Sequence, residues 1–233
     1  MRIVAPDPVR VIAIVVVILF ADGCSSSQGT STPSSTKAQA TGLEGTQAHR
    51  TDAEVTSLLS GIRQRGSILG DPTAPVTVQY FADLQCPYCR RFTLRVLPSL
   101  IQSYVRQGKL KIEYRSLETA TRNPETFMIQ QVAALAAGKQ NKMWNFIDLF
   151  YHEQSRENSG YVSERYLRGL AQRVRGLDLI GWTGARGDPE LVVALTSDAH
   201  AASKASMTST PSFLVTTTGH APYVSAIERL LRG

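Results

Sequence analysis

Two cysteines separated by two residues form the pair in this chain whose spacing is best suited to chemistry, Cys86-Pro87-Tyr88-Cys89. Such a pair can exchange disulfides, because one thiolate attacks a disulfide and the second thiol then resolves the mixed disulfide. The run Val76 to Phe81, rich in β-branched and aromatic residues, predicts a strand shortly before the pair. Apolar residues at helical spacing after Pro87 predict an amphipathic helix that begins at the pair.

This predicted strand-to-helix turn would make the two thiols different. Cys86 is expected at the N-cap of the helix, with Pro87 at the first helical position, where its missing N–H is not needed. Free backbone N–H groups and the helix dipole stabilise an anion there, so Cys86 is predicted to be the exposed, acidic nucleophile. Cys89 lies one turn deeper on the apolar face and is the predicted resolving thiol. Farther along, Pro98 is expected to kink the helix.

Other uses of a Cys-x-x-Cys pair need residues that this sequence does not supply. A zinc ribbon needs a second Cys or His pair, and the four histidines lack ligand-like spacing. Iron–sulfur centres need more thiolates, and covalent haem attachment needs a His where the chain has Arg90. A disulfide across so short a loop would constrain the unfolded chain little. We therefore predict a redox role, with no metal site and no cofactor.

The beginning of the chain, residues 1–23, has the features of a lipoprotein-type signal peptide. Arg2 and Arg10 precede an apolar run from Val11 to Ala21, which is shorter than the about 20 residues that span a bilayer. Cys24 follows a small residue and resembles the lipidated cysteine of bacterial lipoproteins. Lipidation at Cys24, an uncleaved anchor and ordinary cleavage remain alternatives, and each predicts an extracytoplasmic domain, with the lipoprotein version anchored to the cell membrane.

The remaining sequence divides into a tether and a single domain. Residues 24–50 are rich in Ser, Thr, Gly and Ala, which is typical of a flexible tether. A capping-box pattern predicts a helix that begins at Thr51, and the domain is assigned to residues 51–233 with a helical insertion at about 122–206. The net charge of +6 comes from dispersed arginines without a dense basic run, so nucleic-acid binding is not expected.

Two segments together resemble the DsbA-like thioredoxin-fold proteins of bacterial envelopes. The first runs from Leu69 to Cys89, and the second, Thr210 to Val215, is similar to that family's cis-proline segment. The resemblance implies an α/β, thioredoxin-like fold with an inserted helical subdomain and the activity of a protein thiol:disulfide oxidoreductase. It also implies a cis bond before Pro211, and substrate binding by four residues: Pro87, Tyr88, Thr210 and Pro211.

The chain departs from the family pattern in three respects. Many relatives carry a buried acid in the first strand, where this chain has Tyr80; Asp83 is a possible proton relay in its place, or else a turn residue, and Glu113 is a weaker candidate. Few residues separate the strand after Pro211 from the last helix, so the fourth strand is expected to be short or missing. The dipeptide between the cysteines occurs in oxidising, isomerising and reducing relatives alike.

Three functions therefore stay open at this point. The first is oxidation of dithiols in unfolded or partly folded exported proteins, with a membrane redox partner for recycling and the chain itself a monomer. The second is an envelope reductase or isomerase, and the third is a non-catalytic module that binds clients or copper through the same sulfurs. The exported location favours oxidation.

Overall fold

A computed structural model describes residues 11–14, 48–49 and 51–232. The other residues of the predicted signal peptide and tether, with the lipidation predicted at Cys24, lie outside this described part. Within it, no helix is both long enough and apolar enough to cross a membrane.

The centre of the fold is a six-stranded sheet in the order β1-β6-β4-β5-β3-β2. Its strands are β1 (Val11–Ile14), β2 (Gln64–Arg65), β3 (Ile68–Leu69), β4 (Val76–Ala82), β5 (Leu110–Ser116) and β6 (Ser212–Thr217). Strands β4 and β5 are parallel, whereas β6 runs antiparallel to β4. The last three residues of β4 are all buried, as expected for a central strand that is covered on both faces.

Eight helices of the described part surround this sheet. They are α1 (51–59), α2 (from Pro87–Arg91 through Ile101–Val105), α3 (Pro124–Gly138), α4 (Met143–His152), α5 (Glu164–Arg173), α6 (Leu179–Ala185), α7 (Pro189–Lys204) and α8 (Val224–Leu231). Helices α3 to α7 lie between β5 and β6 in the chain, close to the range 122–206 predicted for the insertion. The predicted α/β class is confirmed.

Helix α2 is irregular around Pro98, as the sequence predicted. Two π-helical stretches, Phe92–Val96 and Ile101–Val105, flank the turn that contains Pro98. The N–H of Leu97 donates to the carbonyl of Phe92, five residues back, where a regular α-helix bonds four residues back. A proline ring excludes a regular helical turn before it, and the wider turn relieves this clash.

The N-terminal end of the predicted domain differs from the sequence-based expectation, whereas the C-terminal end agrees with it. Residues 48–49 are helical and Thr51 lies inside helix α1, so the helix begins within the predicted tether 24–50, and the prediction of Thr51 as its start was wrong. The Arg173 side chain, which forms an ion pair with Asp52 at 2.8 Å and donates to the Ala48 carbonyl at 3.5 Å, holds this first turn. No strand lies in residues 218–223, as expected.

Strand β1 occupies the edge of the sheet beside β6. It pairs antiparallel with β6, with Val11 opposite Thr216 and Ile14 opposite Phe213. These four residues belong to the apolar run that was predicted to form the hydrophobic part of a signal peptide, and Val11, Ile12 and Ile14 are β-branched residues that favour a strand.

Aromatic side chains join helix α2 to the sheet. Phe92 on α2 has its ring centroid 4.7 Å from that of Tyr80 on β4 and 4.7 Å from that of Phe213 on β6. Tyr80 and Phe213 are stacked with their centroids 5.5 Å apart, and both are fully shielded from solvent. Because such rings bury a large apolar area and restrict one another's orientation, this cluster fixes the start of α2 against the ends of two strands.

We predict that Phe213→Ala lowers the free energy of unfolding by about 3–5 kcal/mol, since it removes the shared ring of this cluster and leaves a cavity. Urea denaturation monitored by circular dichroism would measure the loss. The matched control is Val193→Ala on helix α7, where 67% of the side chain is exposed and the expected change is within about 0.5 kcal/mol. Equal stability of the two variants would contradict the assigned role.

Candidate active site

The turn between β4 and α2 places Cys86 at the N-cap of the helix, as predicted. Its backbone is extended, with φ −68° and ψ 121°, and Pro87 occupies the first turn. The backbone N–H of Cys89 donates to Cys86 Sγ over 3.4 Å. A sulfur at this position receives the N–H groups that the first helical turn cannot satisfy internally, and these groups favour its anionic form.

The burial of Cys86 was not predicted. Only 3% of its surface is exposed, so the expectation of an exposed nucleophile was wrong. The cause lies far along the chain, because the thiol of Cys86 donates to the carbonyl oxygen of Thr210 at 3.3 Å and is covered from that side. The neighbouring Tyr88 is 43% exposed and marks the open side of the site.

The two thiols have opposite acidities. The hydrogen bond from the Cys89 thiol, with further contributions from Thr210 and from backbone N–H groups, outweighs burial and lowers the pKa of Cys86 to about 7. Burial is the main cause that raises the pKa of Cys89 well above its ordinary value, and the neighbouring Cys86 adds to it. At neutral pH one sulfur is therefore partly a thiolate while the other keeps its proton.

The segment before β6 faces this pair. The Thr210–Pro211 peptide bond is cis, which confirms the prediction. The hydroxyl groups of Thr210 and Thr119 are hydrogen-bonded to each other, and the Ser212 hydroxyl donates to the Ser209 carbonyl at 2.6 Å. The structure thus brings together Cys86, Cys89, Pro87, Thr210 and Pro211 as the sequence predicted.

Asp83 lies under the site as a buried acceptor of six hydrogen bonds. Three come from the backbone N–H groups of residues 119–121, at 2.8 to 3.1 Å, and one from the Thr121 hydroxyl. The others come from the backbone of Gln85 and the amide of Gln130. None of these bonds reaches either thiol, so they correspond to the turn-residue alternative, and the relay role stays a prediction. Glu113 lies on β5 and pairs with Arg115 at 2.9 Å.

Tyr80 provides a hydroxyl where many relatives have an acid. Its O–H donates to the Cys89 carbonyl at 3.3 Å and shares a hydrogen bond with the Thr93 hydroxyl at 3.2 Å. Burial is the main cause that raises its pKa well above the ordinary value for tyrosine. The group beneath the second cysteine therefore stays neutral over the range in which thiols titrate.

Residues of helix α4 and of the loop after it hold the turn between β4 and α2 in place. Sequence reasoning missed these residues. The Tyr151 hydroxyl donates to the Asp83 carbonyl at 3.1 Å, and the Gln154 amide donates to the carbonyls of Leu84 and Cys86 at 2.8 and 3.2 Å. These partners are 68 to 70 residues apart in the sequence. No local sequence pattern marked Tyr151 or Gln154 as a residue of the active site.

A family model described as Thioredoxin matches residues 63–226, which include both cysteines and the cis-proline segment. The chain belongs to the thioredoxin family. Among curated proteins, a probable disulfide bond formation protein D of Bacillus cereus is 29% identical over 106 residues, which make up 45% of this chain and 48% of that protein. The corresponding protein of Bacillus anthracis is 25% identical over 150 residues, 63% of this chain and 68% of that protein. The match thus spans about half the length of the first relative.

Solved structures of other proteins have a similar fold. Oxidised BdbD from Bacillus subtilis superimposes with a TM-score of 0.59 at 20% identity, covering 74% of this chain and 98% of that one. A thioredoxin-like oxidoreductase from Silicibacter pomeroyi gives 0.53 at 27% identity, covering 71% and 92%. Together they confirm the thioredoxin-like fold with a helical insertion.

We predict that alkylation of Cys86 by iodoacetamide accelerates between pH 5 and 9 with a midpoint at about 7, because only the thiolate reacts. In Cys89→Ala the midpoint should move upward, since the Cys89 thiol is the largest cause of the lowered pKa. Mass spectrometry of quenched samples would give the rate at each pH. An unchanged midpoint in Cys89→Ala would contradict this account of the acidity.

The same titration predicts how stability depends on pH. A folded-state pKa below the unfolded value means that the thiolate contributes stability above the unfolded pKa, which is lost as pH falls through about 7. Cys89, whose folded-state pKa is raised, acts in the opposite sense above the unfolded pKa, so reduced protein should lose about 1–2 kcal/mol more than oxidised protein between pH 9.5 and 6, measured by urea denaturation of both forms. Identical losses in the two forms would count against a thiolate in the folded state.

Asp83→Asn separates the anchoring role of this residue from a relay role. We expect the variant to lose about 2–4 kcal/mol of stability, since charged hydrogen bonds are lost and an amide replaces an acceptor. Amide hydrogen exchange at residues 119–121 should accelerate. The control is Asp71→Asn, whose carboxylate accepts only from Thr73 in an exposed turn. Unchanged stability with slower reaction at Cys89 would support the relay instead.

Proposed function

We propose that this member of the family is an extracytoplasmic thiol–disulfide oxidoreductase that oxidises substrate dithiols through Cys86 and Cys89. The observation that carries the proposal is the unequal pair: a sulfur of lowered pKa at a helix N-terminus and a buried, protonated partner one turn away. Stabilising the thiolate at Cys86 stabilises the reduced form and so makes the disulfide more oxidising. The relatives named as disulfide bond formation proteins support the same direction.

The exchange proceeds from the Cys86–Cys89 disulfide in two steps. A substrate thiolate attacks Cys86 Sγ; the bond to Cys89 breaks, and the sulfur of Cys89 takes the electron pair and then a proton. A second substrate thiolate attacks the substrate sulfur of the mixed disulfide, and Cys86 leaves as a thiolate. Two electrons pass to the enzyme. The low pKa of Cys86 favours it as a leaving group, whereas the high pKa of Cys89 disfavours its return attack.

The substrate chain is proposed to lie along the cis-proline segment. In the reduced protein the carbonyl of Thr210 accepts from the Cys86 thiol, a bond that the oxidised sulfur cannot donate. The carbonyl is then available to an extended substrate, as a strand edge would be. Pro87 and Tyr88 are exposed on the other side of Cys86, so these residues with Thr210 and Pro211 form the proposed substrate contact.

The N-terminal sequence supports an extracytoplasmic location, and the proposed activity implies the partners. We propose that residues 1–23 direct export, that Cys24 is lipidated, and that the tether lets a monomeric domain of residues 51–233 reach about 25–30 Å from the membrane. Its clients would be unfolded or partly folded exported proteins. A membrane redox partner would reoxidise the pair.

One observation favours the second candidate, a reductase or isomerase. A pKa of about 7 at Cys86 is the value typical of thioredoxin, whereas a strongly oxidising enzyme of this fold has a pKa of about 3.5. A redox titration in glutathione buffers therefore decides the direction. A reduction potential between roughly −120 and −200 mV would support oxidation, and one of about −270 mV would support reduction.

We predict that Cys86→Ser abolishes exchange with a dithiol peptide, since no thiolate remains to accept the substrate, while Cys89→Ala accumulates mixed disulfides. Cys24→Ser is the control, because it should change only membrane attachment. Peptide oxidation is followed by mass spectrometry and attachment by cell fractionation. Retained exchange in Cys86→Ser would overturn the assignment, and tight copper binding without exchange would favour the non-catalytic alternative.

A further inference from the structure

A groove with a volume of about 650 Å³ opens beside the active site. Pro87 and Pro211 line the part of this groove beside Cys86, and its apolar lining includes the half-buried Leu94 and Val96 as well as the buried Phe92 and Phe213. Leu231 of helix α8 adds a further apolar residue. A polypeptide segment that places its cysteine against Cys86 can continue into this groove, because the groove and the active site share the two prolines.

The charged residues that line the groove are all positive. Four arginines line it and no acidic residue does, among the residues that the structure describes. Arg90 is held by the Tyr151 carbonyl at 2.7 Å, and Arg232 lies 3.9 Å from the Glu228 carboxylate. Arg91 and Arg95 are both exposed at the rim, four residues apart on helix α2.

We propose that Arg91 and Arg95 select substrate segments that carry acidic side chains beside apolar ones close to the reacting cysteine. This specificity rests on the proposed function and names its substrate class. The apolar wall offers burial to apolar side chains, while the rim attracts carboxylates and repels lysine and arginine. An anionic lipid would match the charge alone, but a lipid has no reason to lie at the part of the groove beside Pro87 and Pro211.

The spacing of the arginines predicts where the acidic residues lie. Arg91 follows Cys86 by five helical positions and Arg95 by nine, which correspond to roughly 7 and 13 Å along a helix rising 1.5 Å per residue. An extended substrate advances about 3.3 Å per residue. Acidic side chains roughly two to four residues from the substrate cysteine would therefore meet the arginine rim.

The experiment uses three dithiol peptides of identical length that differ only at positions two and four residues from the cysteine, with Glu, Gln or Lys there. We measure the rate of their oxidation by the oxidised full-length protein. The Glu peptide should react about tenfold faster than the Lys peptide at low salt, and added salt should reduce this ratio because it screens exposed charges.

Variants assign the preference to the two arginines. In the double variant Arg91→Gln, Arg95→Gln the Glu-to-Lys rate ratio should fall below about two, and Arg91→Lys, Arg95→Lys should restore most of it. The matched control is Arg168→Gln, an exposed arginine of helix α5 away from the groove, which should leave the ratio unchanged. Circular dichroism verifies that each variant is folded.

The outcomes separate this inference from the proposed function. Equal rates for the three peptides, or a ratio that survives in the double glutamine variant, would overturn the charge selection while exchange itself stands. Failure to oxidise any of the peptides in the redox window of an oxidant would overturn the proposed function, and the selection would fall with it. Binding of vesicles rich in anionic lipid that competes with the Glu peptide at the rim would also contradict the choice of occupant.

Discussion

The hydrogen bonds that Cys86 Sγ receives at the start of helix α2 are the interaction on which the rest of the site depends. The sulfur accepts from the N–H of Cys89, and the Cys89 thiol is the main cause of its lowered pKa. These contacts exist only while the first turn of α2 keeps its position against the ends of β4 and β6. The aromatic cluster of Tyr80, Phe92 and Phe213 provides that position, so core packing and thiol acidity are linked.

A second set of contacts fixes the loops around this turn. Asp83 gathers the backbone N–H groups of residues 119–121, and Thr119 in turn bonds Thr210 of the cis-proline segment. Segments from three distant parts of the chain are thus joined through one buried carboxylate. A charged acceptor is effective here because several converging N–H groups compensate for its desolvation. These bonds fix the geometry of the site, and the relay role of Asp83 stays a prediction.

The sequence allowed the strand, the turn, the N-cap position of Cys86 and the depth of Cys89 to be predicted, because each depends on residues within one turn of its neighbours. The cis bond at Pro211 was predicted from a family resemblance. The burial of Cys86 was missed, since the carbonyl that covers it lies 124 residues away. The supporting bonds from Tyr151 and Gln154 were missed for the same reason. Local patterns report on elements, whereas the packing of loops against one another depends on the whole fold.

The tyrosine beneath Cys89 has a consequence for how the reaction responds to acidity. A carboxylic acid buried at that place would have its pKa raised toward the range in which thiols titrate, and its ionisation would give the rate a second inflection. The Tyr80 hydroxyl is neutral throughout this interval, because burial raises its pKa well above the ordinary value. Tyr80 therefore adds no ionisation to the pH profile of exchange, which is set by the substrate thiol when Cys86 is in the disulfide and by Cys86 when the pair is reduced.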